Sequence, residues 1–344
     1  MARPTPPPFD DLPLQRPGPP YNAWGLWGAD DELGRLNLIT PEVVKAARDE
    51  IKEGIVINLK WVITLTPLTH QHAPRQHPAQ PRPPAARAHD VSAVAAFPAD
   101  PSIPKGYAND DHLSFNTQCS TQWDGFRHYP YQDYPEKGQT VHYGGMTSAE
   151  GSSKDVKRLG VDNYTRKPIS SRAHLLDIDR HIRLNGLPPL ELFDNTTPIP
   201  VSLLQACADA QGIEFRTGDI LLVHTGWTKA WYALDEAGRE AMPLRSHRAC
   251  TGVAQGEDML RWHWERGIAA VASDVSAYEA WPPKRPALHE VFLSGWGLPI
   301  GETFDLRELA AECERLQRWT FFFASVALYV PGGIASPANA QAFL

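Results

Sequence analysis

The sequence predicts an α/β fold in which a mixed β-sheet is flanked by helices. Segments with helical periodicity alternate with runs of β-branched residues only in part, which favours a mixed sheet over a strictly parallel one. The clearest unit is a helix over residues 257–266 followed by a buried strand over residues 268–273. No GxGxxG or GxxxxGK(S/T) loop occurs, so a nucleotide cofactor is not expected. A length of 344 residues is compatible with one large domain.

In the first half of the chain, local signals predict one helix and three extended segments. Thr40 and Pro41 have the properties of an N-cap and a first helical residue, and Gly54 ends the helical pattern. Runs of β-branched and apolar residues then predict strands or extended chain over residues 55–65, 113–121 and 173–178.

The second half carries more capping signals, which predict three helices alternating with strands. Ser202 and Gln205 have the spacing of a capping box, and Asp305 is expected to cap the last helix. Asp274 follows a predicted strand, at the kind of strand end where α/β sheets place their chemistry. A tail of small residues follows the last strand. The predicted helices and strands cover residues 202–211, 220–224, 257–266, 268–273, 306–317 and 320–330.

Proline divides the chain into an N-terminal arm and one domain. The sequence has 32 prolines, and those near the N-terminus exclude a helix or an inner strand there. We therefore expect residues 1–22 to form a proline-rich arm that lies over the surface or over a neighbouring subunit. Residues 23–344 are expected to form the domain.

Composition and charge exclude several classes of function. The formal net charge is -7, so binding to nucleic acid or to an anionic membrane is not expected. The most apolar run, residues 319–330, is shorter than the roughly 18 residues of a membrane span. The first residues lack the apolar segment of a secretory signal, and four dispersed cysteines without a CxxC pair are typical of the reducing cytoplasm. A small molecule is therefore the expected partner.

The densest polar run lies between residues 118 and 129. In extended chain Gln122 and Asp124 point to the same side, and His128 can return towards them after the bend at Gly125. Such side chains bind metals or transfer protons, and the alternative is a polar loop with an ordinary surface histidine. The run also holds three aromatic residues that form either a substrate wall or part of the core: Trp123, Phe126 and Tyr129.

A second polar run covers residues 289–306. His289 and Glu302 stand at the two ends of an apolar, glycine-containing segment that is expected to form a tight, packed turn. The alternative is that His289 caps a helix and Glu302 is solvated. If the fold brings the two runs together, they form one polar site.

The two runs together resemble the cyclase family, which includes bacterial kynurenine formamidases and isatin hydrolases. The family signature His-x-Gly-Thr-His-x-Asp-x-Pro-x-His corresponds to Gln-Cys-Ser-Thr-Gln-Trp-Asp-Gly-Phe-Arg-His over residues 118–128. The family pattern Leu-x-x-x-Gly-x-x-Ile-x-Glu-x-x-Asp-Leu is present within residues 289–306. Three further segments match in order: residues 175–177, 217–227 and 272–274. The resemblance extends over roughly residues 24–333.

The resemblance implies a swivelling β/β/α-type fold and a homo-oligomer, as a dimer or tetramer. It implies that residues 23–344 are a cyclase-like catalytic domain that hydrolyses small amides or lactams at a Zn²⁺ or Mn²⁺ site. It assigns proton transfer to His128. It also assigns metal binding to five positions: Gln118, Gln122, Asp124, His289 and Glu302.

Two of these positions depart from the family, because Gln118 and Gln122 replace histidines. Imidazole is a strong ligand for Zn²⁺ and Mn²⁺, whereas a Gln amide offers only a neutral carbonyl oxygen that suits harder cations. The other positions match.

We therefore predict a metal-dependent hydrolase of a small, aromatic amide, lactam or lactone. The preferred target is the C–N bond of an amide or lactam. His128 would be the general base and then the general acid, with Asp124 and Glu302 as the catalytic carboxylates. One alternative is a metal-free lyase, dehydratase or cyclase in aromatic or polyketide metabolism. Another is a binding protein without turnover.

Overall fold

The computed structural model describes residues 5–61, 90–94, 108–112, 115–245 and 249–344. Helices flank a nine-stranded main sheet, and two further strand pairs stand apart from it. In chain order the strands are β1 (Val56–Asn58), β2 (Asp90–Val94), β3 (Ala108–His112), β4 (Gln122–Asp124), β5 (Tyr131–Gln132), β6 (Thr140–Val141), β7 (Ile169–Asp177), β8 (Ile220–His224), β9 (Ala270–Ser273), β10 (Ile300–Glu302), β11 (Thr320–Ser325), β12 (Ala335–Pro337) and β13 (Ala340–Phe343).

Along the chain, most helices come between strands of the main sheet. A π-helix, Glu290–Trp296, precedes β10, and short 3-10 turns occupy Phe9–Asp11, Gly34–Leu38, Arg48–Glu50, Tyr143–Gly145 and Met242–Leu244. The α-helices are α1 (Pro41–Ala47), α2 (Ser148–Ser152), α3 (Asn163–Arg166), α4 (Ile178–Leu184), α5 (Val201–Ala210), α6 (Trp227–Ala233), α7 (Glu236–Ala241), α8 (Glu257–Glu265) and α9 (Arg307–Leu316).

The main sheet is mixed, as the sequence predicts. Its strand order is β1-β13-β11-β7-β8-β9-β10-β4-β12. The four central strands β7, β8, β9 and β10 are parallel, and every other pairing in the sheet is antiparallel. Every residue of β8 and β9 is buried, which is typical of parallel strands covered on both faces. The parallel strands thus form the core of the sheet, and their carboxyl ends lie along one edge.

Several predicted elements are confirmed. The Thr40 hydroxyl accepts a hydrogen bond from the Val43 amide at 3.3 Å, so it caps α1 as expected. That helix is shorter than predicted, since a 3-10 turn follows it before Gly54. The predicted helix and strand of residues 257–273 correspond to α8 and β9. The first predicted strand corresponds to β1, and its last residues, 62–65, lie outside the described residues.

Two local predictions are wrong. The segment predicted as extended, residues 113–121, forms turns over residues 115–121, with the Cys119 amide bonded to the Asn116 carbonyl, and the strand begins only at Gln122. Residues 113–114 lie outside the described residues. The capping box at Ser202 is absent, because α5 begins one residue earlier, after Pro200. The Gln205 amide instead donates to the Asp209 side chain at 2.6 Å, one helical turn later.

The end of the chain also differs from the prediction. The last predicted strand stops at Ser325, five residues early, and the following segment reaches the surface with Leu328, Tyr329 and Val330 exposed. The small-residue tail then returns to the sheet as β12 and β13. Strand β13 lies between β1 and β11, inside the sheet, with Ala340 and Ala342 fully buried. Small side chains fit there because neighbouring elements fill the space.

The proline-rich arm packs on its own domain. Phe9 is buried, stacks on Tyr21 with 5.6 Å between ring centroids, and lies under the Arg261 guanidinium at 4.6 Å. Arg261 also pairs with Asp10, and the Trp264 indole donates to the Pro7 carbonyl at 2.8 Å. The described part of the arm therefore lies against α8 of its own domain, and packing on a neighbouring subunit stays a prediction.

The four cysteines Cys119, Cys207, Cys250 and Cys313 are buried and free. Within the described residues, no helix combines the length and the apolar character that crossing a membrane requires. Location in the cytoplasm stays a prediction.

A buried ionic cluster ties together the carboxyl ends of β7, β8 and β9. His224 Nδ1 lies 2.9 Å from Asp177 Oδ1, and its Nε2 lies 3.9 Å from Asp274 Oδ2. Thr225 donates to Asp274 through both its amide and its hydroxyl. Burial alone would lower the pKa of His224, but the hydrogen bond to Asp177 and the charge of Asp274 outweigh burial and raise that pKa to about 9.

We predict that thermal stability falls as the pH rises from about 6.5 to about 9. The pKa of His224 is 6.5 in unfolded chain and about 9 in the fold. Its charge therefore stabilises the fold fully below pH 6.5, and this contribution is lost as the pH rises through the folded pKa. The melting temperature should drop by several degrees across this window.

The matched control is His224→Gln, which should show a weaker dependence of the melting temperature on pH over the same window. Identical slopes for the two proteins would remove His224 as the cause.

Candidate active site

Strand register brings the two polar runs of the sequence together. Strands β4 and β10 are antiparallel, with Gln122 opposite Glu302 and Asp124 opposite Ile300. Alternation along β4 places Gln122 and Asp124 on one face. The Gln122 amide nitrogen donates to Glu302 Oε2 at 2.8 Å, across a sequence separation of 180 residues. The first run therefore contributes an amide and a carboxylate beside the carboxylate of the second.

His289 completes this group from the start of the π-helix. Its Nε2 lies 3.2 Å from Glu302 Oε1. The helix ends at Gly297, whose φ of +62° is a left-handed conformation that favours glycine. Gly297 packs directly on Gly34, where an added Cβ would lie 2.2 Å from the Gly297 carbonyl oxygen. The predicted tight turn thus exists, and it returns the chain to β10 so that His289 and Glu302 meet.

The buried centre of the site consists of Asp124, His289 and Glu302. One potential ligand atom from each residue lies within 4.8 Å of the others, and all three side chains are buried. The structure therefore gathers residues that the sequence separates widely, as the shared-site hypothesis requires.

His128 lies at the rim of this centre. Its Nε2 is 3.7 Å from Asp124 Oδ2, and its side chain is 19% exposed, whereas that of Asp124 is fully buried. Gln118 does not join the three central residues. Its amide nitrogen lies 2.8 Å from His128 Nδ1, on the far side of the ring. Gln118 therefore contacts the histidine at the rim.

Burial and neighbouring charges move three pKa values in different directions. Burial raises the pKa of Asp124 to about 7, although the charge of His289 opposes this shift. Burial and the charge of His289 lower the pKa of His128 to about 4. For His289, burial favours the neutral ring, but hydrogen bonds to Glu279 and Glu302 prevail and raise its pKa to about 10. At neutral pH the site therefore holds a neutral His128 beside a cationic His289.

Several buried polar atoms of the site have no hydrogen-bond partner. They are both carboxylate oxygens of Asp124 and the Oε1 atom of Gln122. Buried oxygens are normally hydrogen-bonded, because an unpaired one loses its solvation without compensation. Together with Glu302 and with His289 Nε2, which would release its proton when a cation binds, these atoms form a donor set of oxygens and one nitrogen. A divalent cation fits this set, since it would satisfy the three unpaired oxygens.

The aromatic residues of the first run divide between core and site. Trp123 points to the opposite face of β4, where it packs on Phe304 with 5.4 Å between ring centroids. Phe126 is buried against Tyr143. Tyr129 lies beside the site, 5.5 Å from the His289 ring, and Trp281 lies 6.2 Å from the same ring. Tyr129 is thus the member of the predicted aromatic wall that the structure places next to the polar centre, and Trp281 accompanies it.

One charged residue of the site was missed in the sequence. Glu279 is fully buried, and its Oε1 lies 2.7 Å from His289 Nδ1. It stands ten residues before His289, outside both polar runs and in no recognisable motif, so the sequence offered no signal for it.

Comparisons with known proteins agree with this architecture. The family model described as "Putative cyclase" matches residues 36–280. The chain belongs to the cyclase family. A crystal structure described as a novel cyclase has 30% sequence identity and a TM-score of 0.74, and the match covers 94% of this chain and 99% of that one. No curated protein matches the chain.

Two isatin hydrolase structures share the fold of this cyclase-family chain. One, bound to the product analogue thioisatinate, has 14% identity and a TM-score of 0.50, covering 87% of this chain and 95% of its own. The other is isatin hydrolase A from Labrenzia aggregata bound to benzyl benzoate. It also has 14% identity and a TM-score of 0.50, and the match covers 84% of this chain and 93% of that one. At this identity the likeness concerns the fold alone.

We predict that Asp124→Asn stabilises the metal-free protein above about pH 8. The folded pKa of Asp124 is about 7, against 3.8 in unfolded chain, so its ionisation opposes folding progressively between these values. Asparagine is neutral and lacks this penalty. Melting curves of both proteins, recorded with chelator, should show the higher melting temperature for the variant.

Near pH 4 the difference should vanish, because Asp124 is then protonated in the fold. A variant that melts earlier than the wild type above pH 8 would show that the carboxylate is adequately paired without a cation.

Proposed function

We propose that this protein is a hydrolase that opens a small aromatic amide, lactam or lactone with the help of a divalent cation. The observation that carries the proposal is the buried group of Asp124, His289 and Glu302, in which neither Asp124 oxygen has a hydrogen-bond partner, although His128 Nε2 lies 3.7 Å from one of them. Such a group is costly to bury unless a ligand compensates it. Membership of the cyclase family and the shared fold of isatin hydrolases support a hydrolase.

Asp124, His289 and Glu302 would hold the cation, with Gln122 Oε1 as a further oxygen donor. When bound, a divalent cation lowers the pKa of coordinated water and polarises a substrate carbonyl. We propose Zn²⁺ or Mn²⁺, and the oxygen-rich donor set favours Mn²⁺. Gln118 would orient His128 instead of binding the cation, because its amide already lies against His128 Nδ1.

His128 is the proposed general base and then the general acid. With its pKa lowered to about 4, the ring is neutral at physiological pH and able to accept a proton. In the structure Gln118 donates to Nδ1, which leaves the ring proton on Nε2. Rotation of the Gln118 amide by half a turn would present its oxygen to Nδ1–H, so that Nε2 could accept the proton. The amide can thus serve both neutral tautomers of the ring.

Tyr129 and Trp281 are the proposed aromatic wall of the substrate site. Their rings are 6.4 Å apart and nearly perpendicular, and both lie beside His289. Flat aromatic molecules pack favourably against such surfaces. The thioisatinate complex of the isatin hydrolase supports the choice of substrate class.

A metal-free lyase, dehydratase or cyclase is the second candidate. It is favoured by His289, whose two ring nitrogens are already paired with Glu279 and Glu302. Asp124, with a pKa of about 7, and the neutral His128 would then exchange protons with the substrate directly. A binding protein without turnover is the third, and it would bind members of an amide, lactone and polyketide-like panel without converting them.

We predict that His128→Asn lowers kcat by about 10²–10⁴-fold, the usual contribution of a general base. Asparagine keeps a polar group at the rim but cannot accept the proton. His181, a half-buried histidine on α4 that lies outside both polar runs, provides the matched control as His181→Asn. A His128→Asn variant that turns over the same substrate at the normal rate would exclude His128 from the mechanism.

We predict that Gln118→His combined with Gln122→His tightens Zn²⁺ binding. The change at position 122 replaces an amide oxygen of the buried centre by an imidazole nitrogen, which has the greater affinity for Zn²⁺. The change at position 118 adds a second imidazole at the rim, beside His128. The gain can be partial, since new histidines also need acceptors for their second nitrogen. Isothermal titration of both proteins with Zn²⁺ and Mn²⁺, after purification without a metal-affinity tag, measures the change.

The metal-dependent reading fails if native activity survives exhaustive chelation and the double variant binds no Zn²⁺. The metal-free reading would then replace it. The homo-oligomer that the family resemblance implies is likewise a proposal, and the mass in solution tests it.

A further inference from the structure

Glu279 is a buried carboxylate to which the proposed mechanism gives no part. It accepts three hydrogen bonds from one short segment of chain. Oε2 accepts from the Leu288 amide at 2.9 Å, and Oε1 accepts from the His289 amide at 2.7 Å. Oε1 also lies 2.7 Å from His289 Nδ1. The carboxylate therefore contacts both the backbone and the ring of His289.

The fold holds Glu279 on a rigid support. Val253 bonds to the residues on either side of it, since its amide donates to the Tyr278 carbonyl and its carbonyl accepts from the Ala280 amide, each at 3.0 Å. Gly252 approaches so closely that an added Cβ would lie 2.4 Å from the Glu279 carbonyl carbon. The Tyr278 hydroxyl is anchored in turn to His263 at 2.8 Å.

We infer that Glu279 is a positioning residue that directs the Nε2 atom of His289 towards Asp124 and Glu302. Because Nδ1–H is committed to Glu279, Nε2 is the nitrogen that faces the buried centre. A carboxylate on the far nitrogen of a metal-binding histidine also makes the near nitrogen a stronger donor. The part of this inference that concerns a cation rests on the proposed function, whereas the ring orientation does not.

A purely structural role is the competing explanation, because the two backbone contacts alone would secure the start of the π-helix. The His289 ring distinguishes the two roles. A structural cap would affect stability only, whereas a positioning residue also affects cation affinity and the hydrogen bond at Nδ1.

Glu279→Gln is the decisive variant, since glutamine keeps the size and one acceptor but removes the charge. Glu290→Gln is the matched control: Glu290 is the next residue after His289, is buried, and pairs with Arg285. The first measurement is calorimetric titration with Mn²⁺. The second is NMR of protein labelled with ¹⁵N-histidine, with the His289 signals assigned by their loss in His289→Asn.

We expect the Mn²⁺ dissociation constant to rise about 10–100-fold in Glu279→Gln and to change little in Glu290→Gln. The Nδ1 proton of His289 should resonate far downfield in the wild type and shift upfield in Glu279→Gln. If glutamine prevents folding, Glu279→Asp, which keeps the charge on a shorter side chain, should shift both quantities in the same direction.

Unchanged Mn²⁺ affinity together with an unchanged His289 resonance would overturn the inference and leave Glu279 as a helix cap. If the wild type binds neither Mn²⁺ nor Zn²⁺, the proposed cation site fails, and the Nδ1 resonance alone then decides whether Glu279 positions the ring. The two failures are therefore distinguishable.

Discussion

The pairing of β4 with β10 is the constraint on which the candidate site depends. It sets Gln122 opposite Glu302 and so joins two segments that are 180 residues apart in the chain. Because side chains alternate along a strand, a shift of one residue would turn Gln122 and Asp124 into the core and Trp123 into the site. Trp123 opposes such a shift, since it fills the core beside Phe304, and its indole donates to Ser325. The same core contact that stabilises the sheet therefore determines which residues of β4 reach the site.

Electrostatics is the second constraint. Among the described residues, the carboxylates of Asp124, Glu279 and Glu302 surround a single imidazolium, that of His289. Buried charges destabilise a fold unless they are paired, and here the pairing is incomplete at Asp124. One buried carboxylate elsewhere in the described core is fully paired: Asp219 bonds to both Arg172 and His174. Asp124 lacks such hydrogen bonds, and the proposed cation would supply the missing partners.

The sequence predicted the site better than it predicted the elements that build it. Asp124, His128, His289 and Glu302 could be found because they stand in two dense polar runs that match a family pattern. Glu279 could not, since its role arises from a contact between loops that no local pattern encodes. The helix α1 could be predicted because its N-cap and first residue form a clear local pattern. The strands β12 and β13 were missed, because their alanine-rich sequence has low strand propensity and pairs only through tertiary contacts.

The two glutamines acquire a physical explanation from the geometry. Gln122 uses its amide nitrogen to hold Glu302 and leaves its oxygen unpaired in the buried centre. One glutamine can therefore orient a carboxylate and offer an oxygen to a cation at the same time. Gln118 shows the same versatility at the rim, where its amide can either donate to His128 or accept from it. Compared with the histidines of the family signature, glutamines at these positions have less ligand strength and more hydrogen-bonding capacity, which agrees with the oxygen-rich cation site proposed above.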